Sequence, residues 1–179
     1  IKAIQQKESE LYPNQGSIDK ESKIEINTLN FKPSYIKSVT NGNIKEKFMR
    51  YPTNVPGYSH LETAHIIGVP VVSEEKENGK LLSRSKVLFA HGSLLPTSIL
   101  STNIADESSK ESLKMDQYDD QGNLLQFTNK AGIPTALIYG YNQSSVLAKI
   151  EGATYIQARN LAQEIISASD EDQKLGTQA

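Results

Sequence analysis

Residues 118 to 155 read YDDQGNLLQFTNKAGIPTALIYGYNQSSVLAKIEGATY, and this stretch decides the fold. Short apolar runs alternate here with turns that carry glycine, asparagine or aspartate, the residues that turn geometry favours. Runs of this length between turn signals predict strands. The predicted strands are Leu113–Tyr118, Leu124–Thr128, Thr135–Tyr141 and Val146–Ile150. The stretch is therefore predicted to form an antiparallel meander of four strands.

A hairpin is predicted upstream of this meander, around Asn41-Gly42. The dipeptide supplies the positive φ that a type I′ turn requires, and alternating runs flank it on both sides. The resulting register places two apolar pairs beside a pair of opposite charges, as cross-strand pairing favours. The predicted partners are Thr40 with Asn43, Val39 with Ile44, Lys37 with Glu46 and Tyr35 with Phe48.

A second hairpin is predicted around Asn78-Gly79, between a valine-rich arm over 69–72 and an apolar arm over 81–89. Simple pairing about this turn opposes Val71 to Lys86. An apolar residue facing a charge indicates that a β-bulge shifts the register.

Two helices are predicted, one near 59–67 and one near 154–167. Ser59 and Glu62 have capping-box spacing, and Gly68 suits the left-handed position after a helix. Thr154 and Gln157 have the same spacing before an apolar stripe of helical period. The stripe consists of Ala158, Leu161, Ala162 and Ile165.

The remaining segments show no sustained period. Residues 1–22 are polar and are predicted to be irregular, and 91–112 is predicted to be a long loop because serine, threonine and charge dominate it. Residues 169–179 are acidic and small, which predicts a flexible tail. The predicted organisation is an irregular segment over 1–22, a mainly β hairpin module over 23–152, an amphipathic helix over 153–168 and the tail.

Composition excludes several classes of protein. The net charge is −2, from 19 basic and 21 acidic side chains that are well mixed, so no basic surface for nucleic acid is expected. Cysteine is absent, which excludes disulfides, zinc–thiolate sites and a cysteine nucleophile. No apolar run approaches the roughly 20 residues that a membrane helix needs. The chain begins at Ile1 without methionine, and we expect that either processing or fragmentation removed the true start.

Residues 118 to 155 resemble the YD-repeat (RHS-like) proteins. The resemblance lies in Tyr118-Asp119, in the turn that ends at Gly122 and in the second turn that ends at Gly132. The segments 138–142 and 148–155 look like the closing part that follows the last repeats. Only one good Tyr-Asp unit is present, whereas at least three stacked repeats bury a common core. The resemblance implies a β-sheet segment of a very large secreted or surface-exposed bacterial protein.

The resemblance also implies structural roles for individual residues. Tyr118 would lie over the neighbouring strand, and Asp119 would accept hydrogen bonds from backbone amides in its turn. Gly122 and Gly132 would take dihedral angles closed to other residues, and Gly140 belongs to the closing part. In this interpretation the hairpins at Asn41-Gly42 and Asn78-Gly79 are degenerate versions of the same unit.

Tyr139 and Tyr141 are two residues apart in a predicted strand, so their side chains would project from one face. Paired tyrosines on a sheet suit an interaction surface for a sugar or a peptide. Packing on the adjacent sheet is the alternative use of the same residues.

No catalytic, cofactor or metal site is predicted. His60 and His65 are five residues apart on a predicted helix and cannot share a ligand face with each other or with His91 in a loop. The cluster Asp116, Asp119, Asp120 and Asn123 lacks EF-hand spacing. Ser93 and Ser98, near His91, lie in no nucleophile-elbow motif, and no glycine-rich phosphate loop occurs.

The expected function is a non-catalytic scaffold or interaction segment of a YD-repeat-like protein, and part of a shell for a C-terminal effector. An accessory partner-binding subunit of an outer-membrane secretion or adhesion assembly is the alternative. The resemblance implies a location outside the cell or on the surface of a Gram-negative bacterium. The expected partner is another protein or the rest of a larger chain; nucleic acid and a small-molecule ligand are not expected.

Overall fold

A computed structural model describes residues 2–12 and 16–176 of the chain, and the structure is mainly β. Eleven antiparallel strands follow one another in chain order. The strands are β1 (Ala3–Tyr12), β2 (Gly16–Ile26), β3 (Pro33–Thr40), β4 (Asn43–Arg50), β5 (Val72–Glu77), β6 (Lys80–Phe89), β7 (Pro96–Thr102), β8 (Ser109–Tyr118), β9 (Leu124–Asn129), β10 (Pro134–Gly140) and β11 (Ser145–Glu151). The predicted mainly β chain of antiparallel hairpins is confirmed.

The hairpin of β3 and β4 has the predicted register at every position. Asn41 and Gly42 have φ angles of 49° and 80°, as a type I′ turn requires. On one face the Tyr35 and Phe48 rings pack with their centroids 4.9 Å apart. The observed partners are Thr40 with Asn43, Val39 with Ile44, Lys37 with Glu46 and Tyr35 with Phe48.

The hairpin of β5 and β6 contains the predicted bulge. Asn78 and Gly79 form the turn, with φ angles of 50° and 78°. The register shifts between Glu75 and Lys76, and Val72 is therefore the residue that faces Lys86. The predicted meander is confirmed as well, because β8, β9, β10 and β11 pair in that order.

The prediction of an irregular segment over 1–22 is wrong in the part that the structure describes. β1 and β2 pair along their whole length. Charged side chains occur on both faces of this hairpin, and an apolar alternation appears only at the end of β2, at Ile24 and Ile26. Ion pairs join them instead: Lys7 Nζ lies 3.4 Å from Glu21, and Lys20 Nζ lies 2.9 Å from Glu10.

The predicted loop over 91–112 is also wrong, since it contains β7 and the start of β8. Hydroxyl side chains bond within this hairpin, where an apolar pattern would have signalled strands. The Thr102 and Ser109 hydroxyl oxygens lie 3.2 Å apart, and Ser112 donates to the Ile99 carbonyl at 2.9 Å.

The short helix near 59–67 is confirmed as α1 (Ser59–Thr63), which follows a 3₁₀ turn at Pro52–Asn54. It ends earlier than predicted because His65, and not Gly68, takes the left-handed conformation, at φ 58°. The His65 and Ile66 amides then bond to the Glu62 and Leu61 carbonyls, which closes the helix in a Schellman motif. Tyr58 is the N-cap residue, and its side chain makes no capping hydrogen bond.

The C-terminal helix is present but is divided into α2 (Tyr155–Leu161) and α3 (Gln163–Gly176). The capping box of Thr154 and Gln157 forms as predicted. The predicted tail over 169–179 is helical as far as Gly176, and residues 177–179 lie outside the described part. Its polar side chains bond to the β10–β11 turn: Asp170 accepts from the Asn142 amide at 2.8 Å.

The chain divides into two compact units, so the predicted module over 23–152 is shared between them. The first unit combines the chain up to Leu94 with Leu100–Lys110, and the second combines Leu95–Ile99 with the chain from Glu111. Tyr58, Leu61 and Val71 form the buried cluster of the first unit. The second has its own cluster of Ala136, Ile138 and Ala158, where α2 and α3 pack on β10.

Candidate functional site

The β8–β9 turn is built around the carboxylate of Asp119. Its Oδ1 accepts from the amides of Gln121 at 3.0 Å and Asn123 at 2.8 Å, and its Oδ2 accepts from the Asn123 side chain at 2.9 Å. Partial desolvation raises the pKa of Asp119, but these hydrogen bonds together hold it below its ordinary value. Gly122 completes the turn at φ 86°. The Asp119 carboxylate is therefore occupied by its own turn.

Tyr118 joins the end of β8 to the start of β7. Its hydroxyl donates to the Pro96 carbonyl at 2.7 Å. Burial raises the pKa of this hydroxyl, so it stays protonated as a donor. The side chain thus closes the hairpin of β7 and β8 at its open end.

Gly140 ends β10 at a point where Ser169 of α3 packs against the strand. A Cβ atom at this position would fall 2.5 Å from Leu147 Cδ1 and closer still to the Ser169 hydroxyl. Gly140 shares a face of β10 with Ala136 and Ile138, and only a residue without a side chain leaves room there. The other glycine singled out in the meander, Gly132, has φ 77° in the β9–β10 turn.

Tyr139 and Tyr141 do not form the pair on one strand face that their spacing predicts. β10 ends at Gly140, and Tyr141 has φ 53° in the following turn. The Tyr141 hydroxyl lies 3.4 Å from an Asp172 carboxylate oxygen on α3. Tyr139 is half-buried, and its pKa is raised by burial and by the negative charge of Asp119.

A cleft of about 470 Å³ opens in the second unit between the β8–β9 turn, the β10–β11 turn and the helices α2 and α3. Tyr139 and Leu125 line it from the sheet, and Asp119 and Asn142 line it from the turns. The helices contribute residues that motif reasoning missed, and these include Tyr155, Arg159 and Gln163. These three residues meet the sheet residues only because the helices pack on β10. The apolar stripe in the sequence predicted which side of the helix is buried, but it did not indicate the polar residues that line the cleft.

The Asn-Gly turns of the first unit have a second role that the sequence did not indicate. Asn41 Oδ1 accepts from the Asp19 amide at 3.2 Å, and Asn78 Oδ1 accepts from the Ile44 amide at 2.9 Å. The backbone amides of the same asparagines donate to the Asp19 and Ile44 carbonyls at 3.1 and 2.8 Å. Each turn thus continues the hydrogen-bond ladder onto a neighbouring strand through its side chain.

Among the residues considered for metal binding or catalysis, Asp116 and Asp119 accept hydrogen bonds within the β8–β9 hairpin. In residues 2–12 and 16–176, no three histidine or acidic side chains converge in a way that could hold a metal ion. Asp116 accepts from Thr128 at 2.5 Å and from Gln126 at 3.3 Å. The His60 Nε2 is buried without a hydrogen-bond partner, and its ring lies 6.1 Å from that of Phe89.

No protein-family model, curated protein or solved structure matches this chain. Over the part of the chain that the structure describes, none of the helices has the length and apolar character needed to cross a membrane.

Proposed function

We propose that this chain is a non-catalytic β-sheet scaffold or interaction segment of a large YD-repeat-like bacterial protein that is secreted or held at the surface of a Gram-negative cell. One observation carries the proposal, namely that two hairpins are closed by the same bond. Tyr51 donates to the Pro33 carbonyl at 2.7 Å, and Tyr118 donates to the Pro96 carbonyl at 2.7 Å.

The two hairpins share a construction as well as a bond. In each, a proline begins the first strand, the position within a strand where a missing amide is tolerated. In each, the tyrosine stands at the end of the second strand. A third hairpin, of β10 and β11, also begins at a proline, and there the Pro134 carbonyl accepts from the Gly152 amide at 2.8 Å. Recurrence of one construction is what a repeat protein predicts.

The distribution of apolar residues supports a segment that is covered by other parts of an assembly. Each unit has a small buried cluster, while large apolar side chains remain at the surface. Leu161 is 90% exposed and Phe31 is 79% exposed. Such groups would be removed from water if a neighbouring part of a larger assembly covered them. A shell around a C-terminal effector is one such assembly.

An accessory partner-binding subunit is the second candidate. β1 and β11 stand at the ends of the strand order, so each has one edge without a strand partner among the described residues. Such an edge can receive an extended segment of another protein by β-augmentation.

The behaviour of residues 1–179 as an isolated polypeptide distinguishes these two candidates. Light scattering after size exclusion would give its mass, and calorimetry would give the cooperativity of unfolding. We expect self-association or a non-cooperative transition if the segment belongs to a longer repeat array. A monomer with one sharp transition would favour the accessory subunit. The coding sequence on either side provides the direct test: many flanking Tyr-Asp units support the scaffold proposal, and their absence would refute it.

A further inference from the structure

The cleft of the second unit has the size of a ligand site. Its volume of about 470 Å³ falls within the range of roughly 300–1,000 Å³ that is usual for small-molecule pockets. Its walls come from strands, turns and helices that pack around the buried cluster of this unit. It is therefore a preformed concave surface.

Aromatic and aliphatic side chains form part of the walls. Tyr139 and Tyr155 are half-buried, Leu125 is buried, and Ile166 is half-buried. Neither tyrosine hydroxyl has a hydrogen-bond partner among residues 2–12 and 16–176. The two side chains thus bring aromatic carbon and two hydroxyls without a protein partner to the cleft lining, the combination that suits a ligand with both C–H and O–H groups.

Planar polar side chains complete the lining. Arg159 and Gln163 reach the cleft from α2 and α3, and Gln121 reaches it from the β8–β9 turn. Within the described chain, the Arg159 guanidinium forms no ion pair. Guanidinium and amide groups present several donors and acceptors in one plane, which suits adjacent hydroxyl groups on a ring.

The charge of the lining favours a neutral ligand. Asp119 is occupied by its own turn, and Asp170 accepts from the Asn142 amide at 2.8 Å. With Arg159, these residues give two negative charges against one positive charge, so an anion such as phosphate would meet no excess of positive charge. We propose that this cleft binds a neutral saccharide of one or two rings, which stacks on the tyrosines and bonds to Arg159 and the glutamines.

The sequence led us to expect no small-molecule ligand, because the helix residues that complete the cleft belong to no recognisable motif. The cleft itself becomes visible only in the structure. It is independent of the proposed scaffold role. The scaffold role is tested by assembly and by flanking repeats, whereas the cleft is tested by ligand binding.

Saturation-transfer NMR on the ligand provides the test, since it reads the sugar protons and works on a monomer or on a large assembly. The probes are cellobiose, maltose and N,N′-diacetylchitobiose, with glucuronate and inorganic phosphate as anionic comparisons; phosphate is observed by ³¹P line broadening. We expect saturable binding of at least one neutral disaccharide. Tyr139→Phe and Arg159→Gln should each weaken it about three- to tenfold, the loss of one or two hydrogen bonds.

Tyr35→Phe is the matched control, because it removes a hydroxyl in the first unit and should leave the affinity unchanged. Three results would overturn the inference. These are no saturable binding of any neutral disaccharide, binding that neither cleft variant weakens, and binding of glucuronate or phosphate alone.

Discussion

Replacing Tyr51 or Tyr118 by phenylalanine removes one hydroxyl and tests whether the two hairpins are closed by the same bond. Each substitution keeps the ring and deletes the donor to a proline carbonyl 2.7 Å away. If the construction is shared, both variants should be destabilised through the same loss.

The expected magnitude follows from burial. Tyr51 is 2% exposed, so water cannot readily replace the lost donor at Pro33. A hydrogen bond contributes about 0.5–1.5 kcal/mol net, and an unpaired buried acceptor costs about 1–3 kcal/mol. We expect Tyr51→Phe to lower the free energy of unfolding by about 1–2 kcal/mol. Tyr118 is only half-buried, so Tyr118→Phe should lower it by about 1 kcal/mol because water can partly replace the donor.

Urea unfolding followed by far-UV circular dichroism measures the global effect, and amide hydrogen exchange measures it locally. Protection should fall in β3 and β4 for Tyr51→Phe and in β7 and β8 for Tyr118→Phe. Tyr139→Phe is the control, because its hydroxyl has no partner in the described chain, and it should change stability by less than about 0.5 kcal/mol. Equal stability of Tyr51→Phe and Tyr139→Phe would refute the reasoning.

Three further predictions concern the meander and the hairpin of β3 and β4. Asp119→Ala removes three hydrogen bonds and should lower the free energy of unfolding of the second unit by about 1–2 kcal/mol in urea. The control Asp120→Ala, at the exposed neighbouring residue, should have little effect. Gly140→Ala should cost about 1–3 kcal/mol by overpacking and should lower the hydrogen-exchange protection of α3; unchanged protection would contradict the close approach. Burial is the main cause, and the hydrogen bond to Glu46 the second, that raise the pKa of the Tyr35 hydroxyl from 10.0 to about 12. The protonated hydroxyl therefore stabilises the fold below pH 10, and this stabilisation is lost as the pH rises from 10 to about 12. Tyr35→Phe should flatten the stability profile in that interval, and an unaltered slope would count against this assignment.

Turn chemistry explains why so much of the β structure could be predicted. Asn41-Gly42 determines both the conformation of its turn and the register of its strands, because a two-residue loop leaves no freedom in the pairing. Asn78-Gly79 determines the pairing only next to its turn, because a bulge between Glu75 and Lys76 shifts the register; the bulge was predicted, but it leaves another apolar residue, Val72, opposite Lys86. In both cases the information lies within a few residues of the turn.

Strands without an apolar period could not be predicted in this way. β1 and the first part of β2 are joined by ion pairs on both faces, and β7 and the start of β8 are joined by hydroxyl contacts. Charged and hydroxyl side chains without an apolar period occur in loops as well as in solvent-exposed strands, so the sequence does not distinguish the two. The helix α3 is similar, because its polar residues become ordered only through bonds to the β10–β11 turn, such as that from Asn142 to Asp170.

The missing apolar period also indicates what the closing bonds contribute. A strand that is polar on both faces can slip along its neighbour without burying or exposing an apolar side chain, so its register is weakly specified. The turn and the apolar pairs already specify the register of β3 and β4, and the bond from Tyr51 to Pro33 adds a constraint at their open ends that is satisfied in a single register. The Asn78 side chain acts similarly at the other end, since it bonds to the Ile44 amide of the neighbouring hairpin. Side-chain-to-backbone bonds at the strand ends therefore reinforce the register that the turns and the apolar pairs specify, and they can be repeated along a chain without a large core.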